Sequence, residues 1–146
     1  FQYGVGEKEA KAIINVEEEI GRSTLLNVKE INFEGNPIKK EEIEIKTLNS
    51  IIRNETSLGK LGIKIDTEGY ELNVILGSNE ILKNTEFVVA EVRHNHESFE
   101  GQYKLHDFVY QMYKNKFILS KIITAKPLIA DLCFEPISKL IDVNNL

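Results

Sequence analysis

An α/β domain with a mixed sheet, closing on a C-terminal antiparallel hairpin, is the expected architecture. Three observations carry it. Phe87-Val88-Val89-Ala90-Glu91-Val92 is a nearly continuous apolar run, the pattern of a strand covered on both faces. Leu105, Phe108, Val109 and Met112 recur at i, i+3, i+4 and i+7, which marks an amphipathic helix. Two further apolar runs, Phe117 to Ile123 and Leu128 to Phe134, are separated only by Thr124-Ala125-Lys126-Pro127, a connection suited to an antiparallel pair.

The remaining elements follow in order. Phe1-Gln2-Tyr3 reads as a short extended piece, and the glycines and charges of Gly4 to Glu9 suit a turn. Ala12, Ile14 and Val16 alternate with Lys11, Ile13 and Asn15 as in a strand. A polar stretch follows, with Gly21-Arg22-Ser23-Thr24 and Glu34-Gly35-Asn36-Pro37 as breakers. Residues 42–47 alternate strictly, placing Ile43 and Ile45 inward on a half-buried strand. Leu48, Ile51 and Ile52 then fall at helical spacing, with Thr47 as the cap. Residues 61–66 form a short strand, and Leu72, Ile75, Leu76 and Leu82 predict one helix from Gly69 to about Leu82. Strand, helix, buried strand, helix, hairpin is the order of a layered α/β domain.

Composition narrows the function classes. The 146 residues suit one domain, and 42% hydrophobic with 28% charged residues is a globular profile. Lys and Arg total 18 against 23 Asp and Glu, a net charge of −5, which disfavours a nucleic-acid partner held by a basic face. The single Cys133 excludes an internal disulfide, and its apolar run predicts a buried small side chain. No apolar stretch approaches the ~20 residues that span a bilayer. No secretory signal opens the chain, and a cytoplasmic location is expected. The chain starts at Phe1 and its one methionine is Met112, so a fragment, a processed product or a part of something longer is expected.

Open α/β sheets bind ligands beyond the carboxyl ends of their parallel strands. Two strands here deliver functional groups at such ends. The first ends in Asp66, followed by Glu68 and Glu71; the second carries Glu91 and then Arg93 and His94. If the strands are neighbours, a spacing of ~4.8 Å brings Asp66 and the His94 region to one rim, where a carboxylate and an imidazole can share a ligand or pass a proton. Each residue also has a structural reading. Asp66 or Thr67 suits a helix cap, and Glu68 and Glu71 suit the first turn, where negative charge is favoured. His94 and His96 have the spacing of a metal pair, but no third ligand is evident and no metal is expected. His106, on the polar side of its helix, reads as structural. Gly4-Val5-Gly6 imitates the start of a dinucleotide fingerprint without its third glycine, and a turn is the better reading.

The stretch Ile63-Lys64-Ile65-Asp66-Thr67-Glu68-Gly69-Tyr70-Glu71-Leu72, followed by Val74-Ile75-Leu76-Gly77 and Val89-Ala90-Glu91-Val92, resembles the FkbM family of S-adenosylmethionine-dependent methyltransferases. Tyr3 to Lys8 resembles the segment after that family's third strand. Gly21 to Leu25 resembles its Ser-rich element, and Ile45 to Asn49 its Thr-Leu-Asp segment, with Asn49 in place of the usual Asp. The resemblance is continuous from residue 1 to about 95 and looser beyond.

The resemblance implies an incomplete Rossmann-like methyltransferase fold, spread over residues 1–146 as one partial domain. It implies S-adenosylmethionine as cofactor, with its adenine side near Gly4, Val5 and Gly6. It implies methyl transfer to a hydroxyl of a sugar, glycolipid or other small-molecule acceptor. A sulfonium methyl is already electrophilic, so the protein must chiefly align the acceptor oxygen and take its proton. Asp66 is the implied catalytic or acceptor-positioning group and His94 the second, with Glu68, Glu71 and Glu91 on the rim. The family's opening strand, glycine-rich loop and second acidic strand have no counterpart here. The expected consequences are an enzyme only as the intact parent protein, and a 61–66 strand left at an open edge that favours self-association. The alternative is a truncated, non-catalytic homologue serving as a binding or scaffold module. A different α/β ligand-binding domain sharing the Lys-Ile-Asp pattern by chance is the remaining reading.

Overall fold

Two sheets lie side by side in the computed structural model, which describes residues 3–16, 23–27, 39–53, 59–94 and 97–139. Gly21, Arg22, the Glu34–Pro37 breaker and His96 fall outside the described residues. The first sheet holds β1 (Tyr3–Val5), β2 (Ala10–Val16) and β3 (Lys39–Lys46), with β3 central, parallel to β1 and antiparallel to β2. Alternation decides the inner face of β3: Ile45 is buried and Ile43 half-buried, while Glu42 and Glu44 are exposed. Gly4 and Val5, expected in a turn, instead belong to β1, paired with Ile45 and Lys46.

Helix α1 (Leu48–Ile52) is capped by Thr47, whose hydroxyl accepts from the Ser50 N–H at 2.9 Å. Beyond it the second sheet orders β4 (Leu61–Ile65), β5 (Thr85–Arg93), β7 (Ile129–Pro136) and β6 (Phe117–Ala125) as β4-β5-β7-β6. β4 and β5 run parallel; β7 is antiparallel to both β5 and β6. Among the described residues β4 is a terminal strand of its sheet.

The single helix expected from Gly69 to Leu82 is two short ones, α2 (Glu71–Leu76) and α3 (Asn79–Leu82). The break has tertiary causes. A β-carbon on Gly77 would stand 2.1 Å from the Gly6 carbonyl oxygen, so the chain turns there against β1's exit. Asn49 Oδ1 then accepts from the N–H groups of Glu80 and Ile81, both at 3.2 Å, which satisfies the first turn of α3 from outside.

α2 and α4 (Leu105–Lys114) enclose the core against one face of the second sheet. Val88, Ala90, Val92 and Phe134 are fully buried there with Ile75, Phe108 and Met112. Phe108 meets Phe134 edge-on at 5.6 Å between ring centres. The apolar run of β5 is therefore not covered on both faces. Its alternate residues turn the other way, where Phe87 is 41% exposed and Val89 and Glu91 are half-buried. Cys133 shares that outer face and is half-buried, not enclosed, because Leu132 and Phe134 take the inward positions of β7. His106 is exposed, on the polar side of α4 as its spacing predicts.

Candidate active site

The parallel pairing of β4 and β5 sets the site. Ile65 lies opposite Ala90, so Asp66 leaves the sheet level with Glu91. One carboxylate oxygen from each of Asp66, Glu68 and Glu91 lies within 4.8 Å of the other two. The cluster opens on the outer face, away from α2 and α4, since Glu91 alternates with the buried Ala90 and Val92. Two cations balance it. Lys64 Nζ lies 3.7 Å from Asp66 and 2.9 Å from Asp131, and Arg93 forms a close, largely buried ion pair with Glu68. As a cation site the cluster offers hard oxygens, but Lys64 and Arg93 already face two of them.

Electrostatics separates the acids. Burial, and then the neighbouring carboxylates of Asp66, Glu68 and Asp131, raise Glu91 above the ordinary glutamate range, with Lys64 opposing. Asp131 is held low by hydrogen bonds from Lys64 and Thr124. Glu91 thus has a raised proton affinity.

The loop between β4 and α2 is folded around Glu71. That side chain is not on the rim: the residue is 1% exposed. Its Oε1 accepts from the Thr67 N–H at 2.9 Å, the Thr67 hydroxyl at 3.1 Å and the Gly69 N–H at 3.0 Å. Its Oε2 accepts from the Tyr103 hydroxyl at 2.8 Å. Glu68 precedes α2 instead of sitting in its first turn, and adopts φ 49°, followed by Gly69 at φ 97°. Neither Asp66 nor Thr67 caps α2; Tyr70 occupies that position without a side-chain bond.

Three residues that sequence reasoning did not single out as site residues complete the loop's surroundings. The Thr24 hydroxyl donates to the Glu68 carbonyl at 2.8 Å, joining the first sheet's flank to the site. Phe99 closes over Gly69, where a β-carbon would stand 2.7 Å from the ring, and Arg93 stacks on Phe99 at 4.9 Å. Tyr103 reaches Glu71 from 32 positions away, a contact no local pattern announces.

His94 lies at the same end of the sheet but does not share Asp66's surroundings. It stands three residues past Glu91, ~10 Å farther along the strand direction. Its backbone N–H donates to Leu128 at 3.1 Å and its Nε2 lies 3.0 Å from the Lys126 carbonyl oxygen. The ring therefore faces the β6–β7 connection, on the side of β5 opposite to β4. A small pocket of about 100 Å³ beside it is lined by Arg93, His94, Tyr103 and Lys104 among others.

Gly4, Val5 and Gly6 reach the site through Tyr70. A β-carbon on Gly6 would meet Ile45 at 2.9 Å and the Tyr70 ring at 3.1 Å, and one on Gly4 would meet Ile45 at 2.7 Å. The space above both glycines is filled by the chain's own side chains. By themselves these residues supply a wall and not a cradle for a nucleoside-bearing cofactor. A larger cleft of about 560 Å³ lies at the other end of the sheet, lined by Lys60, Lys83, Glu86 and Lys139. It is remote from the carboxyl ends of β4 and β5 and from the carboxylate cluster. No helix among the described residues is long and apolar enough to cross a membrane.

A family model described as methyltransferase FkbM domain matches residues 2–119. No curated protein and no solved structure matches the chain.

Proposed function

Because the chain belongs to the FkbM methyltransferase domain family, we propose that its carboxylate cluster is the acceptor side of a methyl-transfer site, with S-adenosylmethionine as donor and a hydroxyl of a sugar, glycolipid or other small molecule as acceptor. The convergence of Asp66, Glu68 and Glu91 within 4.8 Å, at the carboxyl ends of two parallel strands, carries this reading. Carboxylates accept hydrogen bonds from neighbouring hydroxyls, and two or three together fix a polyol's orientation as well as its position. Asp66, half-exposed at the mouth, orients the reacting hydroxyl. Glu91, with its raised proton affinity, is matched to receive the proton as the oxygen gains its new bond. Arg93 pairs with Glu68 and fixes it at the cluster's edge. His94 joins as a contact to a more distant part of the acceptor. Gly4, Val5 and Gly6 form one wall on the donor's side, and no step is assigned to them.

The test is transfer of labelled methyl from S-adenosylmethionine to a panel of hydroxylated acceptors by the intact protein. Asp66→Asn is expected to lower transfer about a hundredfold or more while donor binding is retained. Unchanged transfer by that variant would remove Asp66 from the mechanism.

A further inference from the structure

We propose that Glu71 and Tyr103 form a positioning pair that sets the geometry of the carboxylate cluster, through the 66–70 loop and not by touching substrate. The proposal rests on the acceptor-site reading for its functional meaning, but its geometry stands apart from it. A carboxylate with 1% exposure is costly unless its lone pairs are satisfied, and here four donors satisfy it. Three of the four come from the loop itself. The Thr67 and Gly69 N–H groups converge on one oxygen, so the backbone wraps the carboxylate as a nest wraps an anion.

That wrapping has a consequence for Glu68, which lies between the two donors. A non-glycine residue at φ 49° is held only where its neighbours over-determine it, and the paired bonds on either side do so. In this conformation the Glu68 side chain points to Arg93 and to the oxygens of Asp66 and Glu91, while its carbonyl turns to Thr24. Releasing the Glu71 carboxylate would free Glu68 to leave the left-handed region and withdraw its charge from the cluster.

Tyr103 anchors the other side of the device. It is buried against Phe108, with ring centres 5.7 Å apart, so its hydroxyl is fixed by the core. Burial, then the adjacent Glu71 carboxylate, push its phenol well above the ordinary range and keep it a donor. The pair thereby ties the acidic loop to the segment leading into α4, which also carries Phe99 over Gly69.

The cluster supplies its own reporter. Glu91 is faced by Asp66, Glu68, Asp131 and Lys64, and part of its raised proton affinity comes from Asp66 and Glu68. Carboxyl-carbon NMR titration of the intact protein reads it directly. Tyr103→Phe, a deletion of one oxygen, and Glu71→Ala are expected to move the Glu91 titration to lower pH, Glu71→Ala more. Glu71→Gln is expected to restore it, because the amide oxygen can take the three loop donors and the amide N–H₂ can donate to Tyr103. If Glu71→Ala fails to fold, Tyr103→Phe decides alone, with the β2–β3 amide resonances as the check on folding. An unmoved Glu91 titration in a folded Tyr103→Phe protein overturns the proposal. Labelled-methyl transfer is followed separately: its absence in the wild type would count against the methyltransferase reading and leave the titration result standing.

Discussion

Glu91 shows how a single acid is tuned by what surrounds it. Burial and three neighbouring carboxylates raise its proton affinity in the folded chain above that of the unfolded chain. Its ionisation therefore costs stability. The contribution is fully present below the ordinary glutamate range and is lost as pH rises through the raised folded value. Glu91→Gln cannot ionise and escapes that loss. Urea unfolding should show the variant and wild type alike near roughly pH 3, with the variant gaining on wild type as pH climbs to neutrality. A stability difference that shrank over that range would contradict the assigned environment. Asn49 is a second case at this scale. Its Oδ1 accepts from the first turn of α3 and its Nδ2 donates to Asn79 at 2.5 Å, so an aspartate at this position would keep the first contact and lose the second.

Helices α2 and α3 depend on a contact between chain segments, not on their own periodicity. Gly77 turns with its α-carbon against the Gly6 carbonyl, a place with no room for a methyl group. Gly77→Ala should destabilise the protein by about 1–3 kcal/mol, as overpacking does, read as a lower urea midpoint. A midpoint equal to wild type would show that the two segments part freely. The same contact explains where sequence reading stopped. Leu72, Ile75, Leu76 and Leu82 keep helical spacing across the break, and nothing within residues 69–82 reports that Gly6 and Asn49 arrive there. By contrast the Ile43–Ile45 alternation, the Thr47 cap and the α4 periodicity are local, and each appears in the structure. At the site, Asp66 and Glu91 were legible as strand-end acids. The burial of Glu71 was not, because its fourth donor, Tyr103, comes from a segment whose approach no spacing encodes. Nor was the divergence of His94, which is set by the carbonyl groups of the β6–β7 connection.

Over the whole molecule, the contacts that join the two sheets at one end include Gly6 with Gly77, Gly6 with Tyr70, Thr24 with Glu68 and Asn27 with Glu100. That end also carries the carboxyl termini of β4 and β5 and the acidic cluster. The opposite end holds the lysine-lined cleft of about 560 Å³. On the proposed reading the acidic end is the functional one, since a methyl acceptor must be aligned and deprotonated, whereas the lysines of the cleft are paired with glutamates. Amide chemical-shift mapping of the intact protein with S-adenosylhomocysteine, the spent donor, separates the two ends. Shifts should gather on Gly6 and on Asp66 to Tyr70. Shifts gathered instead on Lys60, Lys83 and Lys139 would put the functional end on the wrong side of the sheet.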